Sequence, residues 1–95
     1  MARYVILSQF SGNAFSEPRE ITRLATAVKE RIREECPGVE WKDSYALTGR
    51  FDVVDIVESD DPAQVQHAAL IIQSHGHART ETSRATPWKE FLEGL

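Results

Sequence analysis

The stretch Leu47-Thr48-Gly49-Arg50-Phe51-Asp52-Val53-Val54-Asp55-Ile56-Val57-Glu58 constrains the fold more than any other. Its second half is dense in Val and Ile, side chains that fit a pleated, half-buried surface, so it predicts a strand. Gly49 sits where a two-residue Gly-X hairpin turn needs a positive φ. Before it, Val39 to Leu47 alternates Val39, Trp41, Tyr45 and Leu47 with Glu40, Lys42, Ser44 and Ala46, Asp43 being the exception. That alternation predicts a second, half-buried strand. With Gly49-Arg50 as the turn, Leu47 faces Asp52, Tyr45 faces Val54 and Asp43 faces Ile56. Cross-strand partners share a face. One face then carries Trp41, Tyr45, Leu47, Val54, Ile56 and Asp52, and is expected beneath the helices. The other carries Lys42, Ser44, Ala46, Phe51, Val53, Asp55 and Val57; being half apolar, it is expected to be covered too.

The rest of the chain supplies two more strands and three helices. Arg3 to Phe10 reads as a first strand, interrupted only by Ser8 and Gln9, and Ser11-Gly12-Asn13 ends it. Ser16 is the expected cap of an amphipathic helix, with Glu17 and Pro18 in its first turn and Ile21, Leu24, Ala25, Val28 and Ile32 as its apolar stripe. Pro37 and Gly38 stop it. Asp61 caps a second helix with Pro62 at its first position and Gln64 at its third. Val65, Ala68, Ala69, Ile72 and His75 form its expected buried stripe, with Gly76 as the stop. His77 to Ala85 reads as a polar fourth strand, and Thr86-Pro87 opens a short helix from Trp88 to Leu92. The order is β-α-β-β-α-β-α, the ferredoxin-like split β-α-β arrangement of an α+β domain.

Ninety-five residues, 41% of them hydrophobic and 27% charged, fit one globular domain spanning residues 1–95. Eleven Lys and Arg against fifteen Asp and Glu give a net charge of −4. No basic run stands out, which argues against nucleic acid as a partner. Cys36 has no second cysteine to pair with, which fits a reducing compartment, and Tyr4-Val5-Ile6-Leu7 is too short to span a membrane or to form a signal-peptide core. A cytoplasmic location is the expectation. A core this small also makes association with a second copy an inexpensive gain.

The segment from Tyr45 to Glu58 resembles the signature of the GYD-domain family, named for a Gly-Tyr-Asp motif. Here Arg50 separates Gly49 from Phe51-Asp52, an arrangement usual in that family, and Phe51 stands for the Tyr. Ala78-Arg79-Thr80-Glu81-Thr82, Thr86-Pro87 and Glu90-Phe91 are similar to the same family's last strand and closing helix. The resemblance covers nearly the whole chain. It implies a dimeric α+β barrel, in which two ferredoxin-like sheets pack face to face, with the second copy as partner. That barrel also hosts cofactor-free monooxygenases, haem-degrading enzymes and ligand-binding regulatory domains, so the resemblance leaves a small-molecule-binding or oligomeric accessory protein and a cofactor-free monooxygenase or isomerase both open. No activity common to the family carries over, and Phe51 lacks the hydroxyl of the motif Tyr.

Chemistry-bearing residues are few. Tyr45 and Asp52 fall on one apolar face, two positions apart along paired strands, and are the candidate ligand-binding groups of any pocket under the helices. A carboxylate on such a face needs a hydrogen bond or open solvent. The competing reading, the commoner arrangement, has Asp52 tying down the hairpin through backbone N–H groups or Arg50. Asp55 on the other face is expected to pair across a subunit interface, with Lys42 or a partner's arginine. His67, His75 and His77 lack supporting cysteines and read as helix-end and surface residues, so no metal is expected. Cys36 has no base near it in sequence, Trp41 and Trp88 read as core and docking residues, and no cofactor motif is present.

Overall fold

The computed structural model describes residues 1–12 and 17–95. The elements are β1 (Ala2–Phe10), α1 (Glu20–Glu35), β2 (Glu40–Ala46), β3 (Val53–Ser59), α2 (Pro62–Gly76), β4 (Ala78–Ala85) and α3 (Trp88–Glu93). The expected element order is therefore the observed one. The strands form one antiparallel sheet in the order β2-β3-β1-β4, and α1 and α2 lie on one of its faces. This is the ferredoxin-like α+β fold. The described chain is only 17 Å through its thinnest dimension, the thickness of two layers, so the sheet's other face is open.

Ile6 and Val57 from the sheet meet Ile32 and Cys36 from the end of α1, and Val65, Ala68, Ile71 and Ile72 from α2. Burying Ile6, Val57 and Val65 to 1% exposure or less stabilises the domain by about 1.5–3 kcal/mol each. α2 lies close against β1, β3 and β4, whereas α1 packs on α2. Ile21, Leu24 and Val28 of α1 stay half-buried.

Several local expectations need correction. Ser16 lies outside the described residues, and the regular helix begins at Glu20, entered by a turn in which Glu20 and Ile21 donate to the carbonyls of Glu17 and Pro18. Gly76 is the last residue of α2 rather than its stop; His77 takes the left-handed position at φ 50°, its carbonyl accepting from Ser11 N–H. His75 is exposed, and Ile71 and Gly76 are buried instead. Asp61 does cap α2, accepting from Ala63 N–H at 3.0 Å, while Gln64 reaches across to Gly38 N–H. α3 has no side-chain cap, and Trp88 is 71% exposed rather than docked, stacked on Phe91.

The β2–β3 register is the expected one near the turn: Tyr45 opposes Val54, Asp43 opposes Ile56, and Leu47 N–H donates to Asp52 O at 2.9 Å. Gly49 does not take a positive φ, and the connection is a wider bend over Thr48 to Phe51. Gln9 Nε2 steadies that bend by donating to Arg50 O at 3.0 Å. A bulge at Lys42 then shifts the register, so Trp41 pairs with Val57. One extra residue moves every side chain beyond it to the other face.

The shift carries Trp41 across to the Asp55–Val57 face, and it is this face, the opposite of the expected one, that the helices cover. The covered face carries Tyr4, Ile6 and Ser8 of β1, Trp41 and Ser44 of β2, and Val53, Asp55 and Val57 of β3. Val5, Leu7, Tyr45, Val54 and Ile56 lie on the open face. β4 occupies an edge, which accounts for its polarity: a row of charges and threonines deters edge-to-edge pairing.

Candidate functional site

Between α1 and the covered face lies a cavity of about 290 Å³. Phe10, Ile21, Leu24, Ala25, Val28, Trp41, Val53 and Ile72 give it apolar walls, and Gly76 opens room at the end of α2. Its polar groups are Ser8, Ser44, Asp55 and, from α1, Lys29. The cavity exists because α1 rests on α2 at one end, through Ile32, and stands off small sheet residues at the other. Ser8, Ser44 and Val53 leave space that a Leu or Phe would fill.

Three polar side chains form a directed chain. Trp41 Nε1–H donates to Ser44 Oγ at 2.8 Å, and Ser44 O–H donates to Asp55 Oδ1 at 2.6 Å. An indole nitrogen can only donate, so the single Ser44 hydrogen is committed to the carboxyl. Asp55 is 7% exposed, and burial pushes its carboxyl above the usual range, against the pull of the Ser44 hydroxyl and the Lys29 charge. The expected intersubunit pairing of Asp55 is thus corrected: it faces α1, and Lys42 instead pairs with Glu40 at 2.7 Å. Ser8 is 2% exposed, and its Oγ has no hydrogen-bond partner among the described residues. Buried hydroxyls usually find a partner; this one is an exception, and its oxygen has almost no accessible surface on the cavity side.

The candidate residues Tyr45 and Asp52 are not in this cavity. Tyr45 is 52% exposed on the open face, where its hydroxyl donates to Asp43 Oδ2 at 2.8 Å; that contact holds the phenol's pKa above its ordinary value. Asp52 binds backbone: its Oδ2 accepts from Phe10 N–H at 2.8 Å and its own N–H donates to Ser8 O at 2.8 Å. It extends the β1–β3 ladder past the last regular pair and so fixes the end of β1 that carries Ser8. The expected pocket beneath the Tyr45–Asp52 face is corrected: the helices cover the opposite face, that of Ile6, Asp55 and Val57. Sequence pattern does not single out Ser8 and Ser44 as cavity residues; a serine directly after Val5, Ile6 and Leu7 is the visible signal.

The histidines sit along the α1–α2 seam and at its end. His67 Nε2 contacts Glu35 Oε1 at 3.1 Å, and His75 contacts Arg31 and Ser74. Glu35 is held below its ordinary pKa, chiefly by its hydrogen bond from Arg31. Cys36 is buried at the end of α1, and burial raises its thiol pKa, the opposite of what a nucleophile needs. Among the described residues, no helix is long and apolar enough to cross a membrane.

Comparison with known proteins gives consistent matches. The family model described as GYD domain matches residues 4–95. A relative in Thermus thermophilus, called glutamine synthetase and cystathionine beta-lyase binding protein, is 36% identical over 58 residues. The match spans 61% of this chain and 61% of that relative, under two thirds of its length. The crystal structure of TTHA0845, also from Thermus thermophilus, superposes with a TM-score of 0.57 at 26% identity, covering 92% of this chain and 95% of that one. A de novo designed protein with ferredoxin fold, LFR1 1, reaches a TM-score of 0.53 at 9% identity over 92% of this chain and 86% of its own, a likeness of fold alone.

Proposed function

The chain belongs to the GYD-domain family, and from that premise we propose that it is a cytoplasmic, small-molecule-binding accessory protein. The observation that carries this reading is the apolar cavity under α1, whose lining holds the buried carboxyl of Asp55 and the charge of Lys29. Concave, mostly apolar sites with a few placed polar groups are where small molecules bind. An accessory role draws support from the relative called a binding protein for two enzymes. It also draws support from apolar surface outside the core. Half-buried Val5, Leu7, Val54 and Ile56 and exposed Tyr45 line the open sheet face, and Trp88, Phe91 and Leu92 are exposed on α3. We place a second copy of the chain on the open sheet face, because strips of this kind mark protein contacts. Tyr45 and Asp43 then belong to that contact rather than to the ligand.

The test screens small neutral aromatic compounds by NMR against the wild type and against Ala25→Trp, a change on α1 that fills the cavity. Binders should shift resonances around Val28, Trp41 and Val53 and lose binding in the variant. If binders act elsewhere, or bind the filled variant equally well, the reading fails. Light scattering behind a sizing column tests self-association; a clean 10.7 kDa monomer at micromolar concentration would remove that part.

A cofactor-free monooxygenase or isomerase is the second reading, favoured by one observation. Asp55 is a carboxyl raised by burial inside an apolar cavity, the environment that tunes a general base. Turnover of a bound compound in air, abolished in Asp55→Asn with binding kept, would replace the first reading with this one.

A further inference from the structure

Resting on the small-molecule reading, we infer that the ligand is an amphipathic carboxylate, with one to two apolar rings under α1 and a single negative head at the opening beside Lys29 and Arg33. Size sets the apolar half. A dry cavity of about 150 Å³ takes one benzene ring, and this one, at about 290 Å³, is close to twice that. The walls that meet the rings are Leu24, Val28, Trp41 and Ile72.

Charge sets the other half. Lys29 lines the cavity and is also exposed to solvent, so it stands at the opening. Its charge acts on Asp55 without coming within ion-pair distance of it. A second hollow shares Lys29 and Trp41 with the cavity and adds Arg33 and Glu40. Glu40 is occupied by Lys42 at 2.7 Å. Lys29 and Arg33, one turn apart on α1, have no ion-pair partner among the described residues. Two uncommitted cations beside an apolar cavity are the complement of an acid with an apolar body. The whole chain carries −4, so it is these two side chains, not the overall field, that draw an anion here. Asp55 tolerates one such charge, because Ser44 donates to it and burial inclines it towards its protonated form. A doubly charged phosphate head would meet it less favourably.

Three probes of one shape separate the cases: 2-naphthoate, 2-naphthol and 2-naphthylmethylamine, negative, neutral and positive at pH 7. They are titrated by NMR at low ionic strength into the wild type, Lys29→Gln, Arg33→Gln and, as a control elsewhere on α1, Arg23→Gln. All three positions are exposed, so the variants keep the fold. The wild type should hold 2-naphthoate about tenfold tighter than 2-naphthol, the worth of one charge-assisted hydrogen bond discounted for solvent, and the amine weakest. Lys29→Gln should lose most of that preference and Arg33→Gln a smaller part, with 2-naphthol binding nearly unchanged; Arg23→Gln should keep it. If the three probes bind alike, if the amine binds best, if Lys29→Gln keeps the preference, or if Arg23→Gln loses as much, the carboxylate inference is overturned while a ligand cavity stands. If none binds the wild type, both fall.

Discussion

The two faces of the sheet use similar residues to opposite ends. β3 sends Asp55 and Val57 under the helices, and Val54 and Ile56 to the open side. Asp52 and Asp55, three positions apart, divide the same way. Asp52 spends its carboxyl on the Phe10 N–H and is a structural clamp. Asp55 has only a serine hydroxyl among the described contacts and is held in an apolar cavity. A carboxylate saturated by backbone stabilises a hairpin, whereas one left short of donors marks a place where something else binds.

The largest effect should come from the covered face. Ile6→Ala removes a fully buried side chain and should lower unfolding free energy by about 2–5 kcal/mol, whereas Val5→Ala, its half-buried neighbour facing the other way, should lower it by less than about 1 kcal/mol. Urea unfolding of both variants measures the contrast; equal losses would erase the distinction between the faces.

Next comes the clamp. Asp52→Ala leaves the Phe10 N–H without its acceptor and should lower stability by about 1–2 kcal/mol, whereas Asp52→Asn keeps an acceptor and should lose less. Neither should change the affinity of a neutral aromatic binder at the cavity by more than a few-fold. Loss of binding with unchanged melting would return Asp52 to the ligand site.

Smaller still is the effect at Ser8, and its sign is reversed. Ser8→Ala removes a buried hydroxyl that has no partner among the described residues, so melting temperature should rise, by an amount matching up to about 1 kcal/mol. A fall would mean that the hydroxyl has a structural partner.

The smallest effect depends on pH. Burial raises the folded pKa of Asp55 above its unfolded value, so between the two the folded chain holds a proton that the unfolded chain has released. Stability therefore falls as pH rises through that window. Asp55→Asn carries no such proton, and its melting temperature relative to wild type should climb from about pH 4, the unfolded carboxyl's range, towards neutrality. Glu35 and Glu58, both lowered by arginines, push the other way but cancel in the difference. A flat or falling difference would place Asp55 in a solvated setting.

Much of the fold was legible because periodicity and capping are local. Asp61-Pro62 marked the start of α2, and the Tyr45–Val54 pairing followed from counting across the turn. The layering was not legible, because both faces of β3 carry apolar residues and the large one that marks the covered face, Trp41, joins it only through one extra residue at Lys42. A bulge has no reliable signature when the strand around it already alternates imperfectly at Asp43. The site was hidden for a related reason. Tyr45 and Asp52 stand out in the sequence as polar groups on an apolar face, but that face is open. Ser8 and Ser44 matter because they are small and lie under α1, and smallness at a gap is a property of packing rather than of pattern.

The most direct measurement uses the chain's two tryptophans. Trp41 donates its indole N–H into the Ser44–Asp55 chain at the cavity, whereas Trp88 is 71% exposed on α3. In a ¹H–¹⁵N spectrum each indole gives one resonance. Titration with 2-naphthol should move the Trp41 signal saturably and leave Trp88 in place, and Ala25→Trp should block the shift. A moving Trp88 with a still Trp41, or no movement of either, would contradict a ligand site beneath α1.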